Sequence, residues 1–219
     1  MTYPVIAVIV AAGLSRRMGA FKLTLPWRGS TVIETVVATV ARARLAEIVV
    51  VTGHRGDEVA ARLAGTAARC IPNPRYAAGD MLSSVQAGLN DIAIRYASAQ
   101  TPGVDGGRPT TAAPQVAAAL VCLGDQPQME AATLEAVLAE GVRTGWQRVI
   151  IPSYRMRAGH PILIPSSLWL QIMNTTESLR TALRTRQDLL SYLNVETDSI
   201  LADLDTPEDY ARAATPRGD

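Results

Sequence analysis

The chain predicts an α/β protein, a single Rossmann-like domain built on a doubly wound, mostly parallel sheet. Three observations carry that expectation. Val5-Ile6-Ala7-Val8-Ile9-Val10 is an unbroken apolar run without polar alternation, as in a strand covered on both faces. Similar runs recur at Glu47 to Thr52 and at Ala117 to Leu123. Segments with helical spacing separate them, and strands alternating with helices favour parallel pairing through right-handed crossovers.

Each element has its own warrant. Thr31 to about Ala43 places Val32, Ile33, Val36, Val37 and Val40 on one helical face, with Thr31 as N-cap. Gly53 turns the chain from the strand 47–52 into a helix from Gly56 to Ala64, and Ala68 to Ile71 forms a short strand. Leu82 to Arg95 reads as a helix. The strand 117–123 stops at Gly124-Asp125-Gln126-Pro127, a helix follows from Ala131 to Gly141, and Val149-Ile150-Ile151 is a further strand. The segment 98–115 is rich in Gly, Pro, Thr and Ala and has no period; it is expected to be a disordered surface insertion without catalytic duty. Residues 1–213 are thus expected to form one domain, and 214–219 a frayed tail.

Bulk composition excludes several function classes. The 219 residues are 48% hydrophobic and 19% charged, with a formal charge of +1, so no global field recruits nucleic acid or an anionic membrane. The run 5–12 is far too short to span a bilayer, and no basic n-region or cleavage site precedes it. Cys70 and Cys122 lie in apolar stretches without metal-ligand spacing, which suits reduced thiols and a cytoplasmic location. What remains open is a small anionic ligand met by a local cluster of charge.

Such a cluster follows the first strand, where an open α/β sheet binds its ligands. Ala11-Ala12-Gly13-Leu14-Ser15-Arg16-Arg17-Met18-Gly19-Ala20-Phe21-Lys22 combines a glycine-bearing turn with two arginines and the chain's one lysine. Glycine lets backbone N–H groups approach an anion, and an ammonium offers a compact point charge where guanidinium offers a planar fork. By composition this is a polyphosphate site, although neither a Walker A loop nor a G-x-G-x-x-G is present. A glycine-rich connection with solvated arginines would have the same letters. Asp125 leaves a buried strand at the same sheet edge, where a hard oxygen suits Mg²⁺; a turn-forming aspartate before proline is the alternative. In Asp203-Leu204-Asp205-Thr206-Pro207, either Asp205 or Thr206 can cap a helix starting at Pro207, which explains Asp205 and leaves Asp203 free for a metal. Ser83 and Ser84 either meet a base or cap the helix they open. His160, beside Arg157, suggests an acceptor-phosphate pocket, whereas His54 reads as a turn residue.

These motifs resemble the nucleotidyltransferases that include molybdenum cofactor cytidylyltransferases and the related guanylyltransferases. The first stretch is similar to that family's L-A-A-G-x-S-x-R-M-G-x-x-K signature, with Val10 for the leucine. Gly124-Asp125-Gln126-Pro127, the segment from Asn73-Pro74 through Leu89, Gly159-His160-Pro161 and the closing 203–209 stretch resemble later family elements. Two departures stand out: Asp80 interrupts a Gly-Met pair, and Thr175-Thr176-Glu177-Ser178-Leu179-Arg180 replaces a G-D-x-G-A-R-like stretch.

The resemblance implies a nucleotide-diphospho-sugar transferase-like fold and Mg²⁺-dependent transfer of a nucleoside monophosphate to a phosphorylated acceptor, with release of pyrophosphate. It implies catalytic roles for Lys22 and Arg17, and nucleotide binding by Ala11, Ala12, Gly13, Ser15, Arg17, Lys22, Ser83 and Ser84. It implies metal binding by Asp125 and Asp203, and acceptor contacts from His160 and Arg157. Ala12, where guanylyltransferases tend to carry glycine, favours CTP as donor, and the implied acceptor is molybdenum cofactor, with a molybdoenzyme or maturation protein as a further partner. GTP or another NTP with a phospho-sugar or phospho-alcohol acceptor is the nearest rival, and a non-catalytic NTP-binding accessory module the rival from another class.

Overall fold

The computed structural model describes residues 3–77, 80–99, 104–105, 108–109 and 115–214. The strands are β1 (Tyr3–Ala11), β2 (Pro26–Trp27), β3 (Ser30–Thr31), β4 (Leu45–Thr52), β5 (Ala68–Pro72), β6 (Val104–Asp105), β7 (Arg108–Pro109), β8 (Ala118–Leu123), β9 (Val149–Tyr154), β10 (Arg157–Ala158), β11 (Ile162–Pro165) and β12 (Leu190–Asn194). The helices are α1 (Val32–Ala41), α2 (Gly56–Arg62), α3 (Met81–Ala99), α4 (Ala131–Arg143), α5 (Trp169–Asn174), α6 (Leu179–Arg184) and α7 (Pro207–Ala214).

The main sheet runs β10-β9-β11-β8-β1-β4-β5, with β12 also paired to β9. Pairing is parallel for β1 with β4 and β8, β4 with β5, and β9 with β12. β11 and β10 run antiparallel to their neighbours, so the sheet is mixed but mostly parallel, as expected. β11 is a four-residue apolar run, Ile162-Leu163-Ile164-Pro165, and is buried throughout. A run so short carries no direction in its pattern, which is why its insertion between β8 and β9 was not legible.

β1 explains the two-sided winding. Val5 to Ile9 are fully buried, and alternate residues serve opposite layers. Val5, Ala7 and Ile9 pack in one cluster with Ile33, Val37 and Val40 of α1 and Leu134 and Leu138 of α4. Ile6 and Val8 pack in the other with Val85, Leu89 and Ile92 of α3 and with Trp169, Ile172 and Leu183 of α5 and α6. At about 1.5–3 kcal/mol for each large apolar side chain removed from water, these two layers dominate the stability of the fold.

Helix starts agree with local chemistry. Thr31 accepts from the Glu34 backbone while Glu34 accepts from the Thr31 backbone, the reciprocal capping box of α1. α3 starts one residue earlier and runs four residues longer than its apolar period predicts, through Ala99. The first two residues of the expected 98–115 insertion are therefore helical, and β6 and β7 pair antiparallel within it. The rest of that segment, like the tail from 215 to 219, lies outside the described residues.

Candidate active site

The loop after β1 crosses the carboxyl edge of the sheet and delivers Lys22. Ser15 sits at φ 51°, and its hydroxyl accepts the Lys22 backbone N–H at 3.3 Å, which closes the loop on itself. Gly124 ends β8 where a side chain does not fit: a Cβ would lie 3.0 Å from the Val10 carbonyl and 3.2 Å from the Ala11 side chain. The close approach of the two strand ends sets Asp125 opposite Lys22. The Asp125 carboxylate accepts directly from Lys22 Nζ, and Asp205 Oδ1 lies 3.3 Å from the same nitrogen. Only 12% of the Lys22 side chain is exposed, against 71% for Arg17, so the lysine charge is the one placed in a restricted environment. Burial works against the ammonium, but the Asp125 and Asp205 carboxylates outweigh it and hold the Lys22 pKa above the ordinary lysine value.

The C-terminal segment is tied to this edge by Gln126, a buried side chain whose amide donates to Asp203 at 2.6 Å and to the Ile200 carbonyl at 3.2 Å. The Leu204 N–H donates to the Asp125 carbonyl at 3.2 Å, and the Leu204 side chain packs on Trp27 and Val32. Burial, then the neighbouring Asp125 charge, push the Asp203 carboxyl up to about 6, while Gln126 and Lys22 pull the other way. One expectation changes here, the reading of Asp205 as a helix cap. Thr206 caps α7, accepting from the Asp209 N–H at 3.2 Å while Asp209 accepts from the Thr206 N–H. Asp205 is thereby released from capping and instead pairs with Arg17 at 2.8 Å as well as with Lys22. Because Thr206 and Asp205 are adjacent and equally able to cap, the sequence did not separate them.

A cavity of roughly 290 Å³ opens on this edge, walled in part by Ala11, Ala12, Gly13, Lys22, Ser84 and Asp125. Six of the residues expected around a nucleotide and metal are thus brought together. Tyr76, Asp80 and Met81 also line it, all from the 73–89 segment that resembles a family element, although none of the three was singled out as a site residue. Ser83 is not on that wall. Its hydroxyl donates to the Asp80 carbonyl and accepts from Asn73, which also bonds Ser84 at 3.1 Å. Asp80, noted only as a departure, accepts the Ser83 N–H at the start of α3. Ser15 and Arg17 lie along the loop rather than in the wall, and Asp203 faces a different cavity.

His160 and Arg157 do not share a pocket, contrary to expectation. Arg157 is exposed on β10 and borders, with Arg28, Arg155 and Asp203, a cavity of roughly 550 Å³. His160 lines another, of roughly 820 Å³. Sequence adjacency misleads because the hairpin between β9 and β10 sends Arg157 outward, whereas the following turn is pressed inward: a Cβ at Gly159 would lie 2.1 Å from the Ile200 carbonyl. Burial pushes the His160 imidazole down to about 4, so it is neutral at physiological pH.

The sign of that shift gives a stability prediction. Between about pH 6.5 and 4 the unfolded chain binds the His160 proton and the folded chain does not, so this contribution is complete above 6.5 and is lost as pH falls. Asp203 acts in the opposite sense, its contribution being lost as pH rises through about 6. In metal-free urea denaturation, wild type should lose about 3 kcal/mol relative to His160→Gln between pH 7 and pH 4. Parallel pH curves for the two proteins would contradict the placement of His160.

The comparisons with known proteins now bear on this geometry. A model of the MobA-like NTP transferase domain matches residues 7–193. The chain belongs to that family. Its MobA-like domain is 29% identical to molybdenum cofactor cytidylyltransferase of Escherichia coli K12 over 209 residues, covering 94% of this chain and 93% of the relative. It is 28% identical to a protein named nicotine blue oxidoreductase from Paenarthrobacter nicotinovorans, over 95% of both chains. The fold is shared with Rv0371c of Mycobacterium tuberculosis H37Rv, solved as a complex with manganese, at TM-score 0.68 and 20% identity over 96% of this chain and 97% of that one. The MobA-like chain is therefore a nucleotidyltransferase on the fold of nucleotide-diphospho-sugar transferases. No helix among its described residues is long and apolar enough to cross a membrane.

Proposed function

We propose that this nucleotidyltransferase moves CMP from CTP to the phosphate of molybdenum cofactor and releases pyrophosphate, with Mg²⁺ as cofactor. The observation that carries the reading is the placement of Lys22 against Asp125 on the wall of a cavity built from Ala11, Ala12 and Gly13. The likeness to the Escherichia coli cytidylyltransferase over nearly the full chain supports the donor and the acceptor. Ala12 supports CTP as well: its methyl occupies space beside the base that a glycine would open.

The acceptor phosphate oxygen attacks the α-phosphorus in line, a new P–O bond forms, and the bond to the β-phosphate oxygen breaks with its electrons leaving on pyrophosphate. No covalent bond to the protein is needed, so positioning and charge neutralisation carry the rate. Lys22 follows charge on the α-phosphate, and Arg17, exposed at the surface, holds the β- and γ-phosphates with its planar fork. Both cations are held by Asp205 in this structure, so Asp205 holds them in place until a triphosphate competes for them. Ser84 and the backbone of the 11–13 turn line the nucleoside end, and Ser15 keeps the loop closed.

The residues present fit a hard divalent ion. Among the described residues no group of three or more His, Cys, Asp or Glu is arranged to hold a metal. Asp125 and Asp203 offer two carboxylates, the number Mg²⁺ usually takes from protein. Burial raises the Asp203 pKa first and the nearby Asp125 charge adds to it, so a cation beside the two carboxylates would be favoured. When held by Asp125 and Asp203, Mg²⁺ would supply neutralisation of the phosphate charge.

The oxidoreductase relative matches the same length of chain, so the reaction is tested on product rather than on likeness. Pyrophosphate release should be measured with each of the four NTPs, with and without molybdenum cofactor. Release that requires both CTP and cofactor is expected. Selection of GTP, or release independent of the cofactor, would overturn the donor and acceptor assignments.

A further inference from the structure

Gln126 directly follows Asp125 in the turn that ends β8, and its side chain is shut inside the protein. An amide carries two N–H donors and one accepting oxygen. Both donors are spent on one distant segment: Nε2 lies 3.2 Å from the Ile200 carbonyl and 2.6 Å from Asp203 Oδ1. The oxygen is enclosed and has no hydrogen-bond partner among the described residues. A bare buried acceptor costs stability, whereas an apolar side chain of the same size would not. The amide is therefore a poor space-filler, and what it gains is its hold on the 200–203 segment. Turned over, it would set its oxygen against two other acceptors, so its orientation is fixed.

The far end of this tie is rigid. The Ile200 carbonyl also accepts the His160 N–H at 3.1 Å, and a Cβ at Gly159 would lie 2.1 Å from that carbonyl oxygen, so the turn before His160 presses directly on it. On the other side of Asp203, the fully buried Leu204 donates its N–H to the Asp125 carbonyl. Between these anchors Asp203 is exposed. With Oδ1 on Gln126, its Oδ2 makes no hydrogen bond or ion pair among the described residues. An exposed carboxylate without such a tie samples several rotamers, and ordering it on an ion costs entropy.

We infer that Gln126 is a positioning residue for the divalent ion, acting through Asp203: it pins Oδ1 and leaves Oδ2 for the ion. The inference rests on the reading of Asp125 and Asp203 as the carboxylates that hold Mg²⁺. Neighbouring residues thus serve both ligands, Asp125 offering its own carboxylate and Gln126 orienting the other. Loss of the partner that orients a metal-ligating side chain typically costs about 10–100-fold in metal affinity.

Mn²⁺, whose free-ion EPR signal disappears on binding, is the probe, titrated into the intact protein without nucleotide. Gln126→Met keeps the length and bulk of the side chain and removes both donors. It should weaken Mn²⁺ binding about tenfold or more, and should raise the Mg²⁺ concentration giving half-maximal pyrophosphate release by a similar factor. Its metal-free Tm should move by no more than about 4 °C, because the unpartnered oxygen is lost with the donors. Gln126→Asn, one methylene too short to bridge both acceptors, should repeat the loss. Asp203→Ala should weaken Mn²⁺ at least as much, and adding Gln126→Met to it should change affinity by less than about twofold, since no carboxylate is left to orient. Wild-type Mn²⁺ affinity in the two Gln126 variants, with or without a lowered Tm, would mark a structural tie and overturn the inference. Losses that multiply in the double variant would overturn it too, and either result leaves Asp203 as a ligand. Unchanged Mn²⁺ affinity in Asp203→Ala would defeat the ligand reading and the inference together. Mn²⁺ binding that depends on Gln126, in a wild type that transfers no CMP to molybdenum cofactor, would support the positioning role and defeat the proposed reaction.

Discussion

Lys22→Ala is expected to lower kcat for nucleotidyl transfer at least 10²–10³-fold, the usual loss when one preorganised donor to developing charge is removed. The KM for CTP should change far less, because Arg17 and the backbone of the 11–13 turn still meet the nucleotide. The fold should survive, but not unaffected. Without the ammonium, Asp125 and Asp205 lose the cation they share, Asp203 adds negative charge nearby, and Arg17 reaches only Asp205. Removing the buried partner of two carboxylates should destabilise the metal-free protein by about 1–3 kcal/mol, and Mg²⁺ should raise its Tm more than it raises that of wild type. Lys22→Arg separates the two roles. Guanidinium restores the charge and hence most of the stability, whereas its fixed fork does not replace a point charge on a flexible stem. Near-normal turnover in either variant would sink the assignment.

Asp125→Asn should match that loss in rate, again at least 10²–10³-fold, for a different reason. The substitution keeps the shape and the backbone contact to Leu204 while removing a hard anionic ligand, so the Mg²⁺ concentration giving half-maximal rate should rise steeply. It also leaves Lys22 with Asp205 as its remaining carboxylate, which should cost about 1–2 kcal/mol in urea denaturation. Stability should fall in both variants, but only in Asp125→Asn should the metal dependence of the rate move. An unchanged metal requirement would place the ion elsewhere.

What was legible in the sequence follows physical lines. β1, β4 and β8 are central strands buried on both faces, and such strands announce themselves by unbroken apolar runs. Lys22 and Asp125 were legible because the loop after β1 and the turn after β8 leave adjacent parallel strands at the same sheet edge. Residues placed by tertiary contact were not. Asp205 looked like a cap because Thr206, beside it, forms an equally good one. Gln126 looked like part of a turn, yet its amide fixes Asp203 beside the site. His160 and Arg157 stand three residues apart and diverge into separate cavities, because a hairpin and a close glycine contact lie between them.

The central step proposed for the reaction is transfer of the α-phosphate group past Lys22. Its most direct test is to incubate wild type and Lys22→Ala with molybdenum cofactor, Mg²⁺ and CTP labelled at either the α- or the γ-phosphate. With wild type, α-label should appear on the cofactor and γ-label in pyrophosphate, and both should be suppressed at least 10²-fold in the variant. Label that stays on CTP with wild type, or γ-label found on the cofactor, would contradict it.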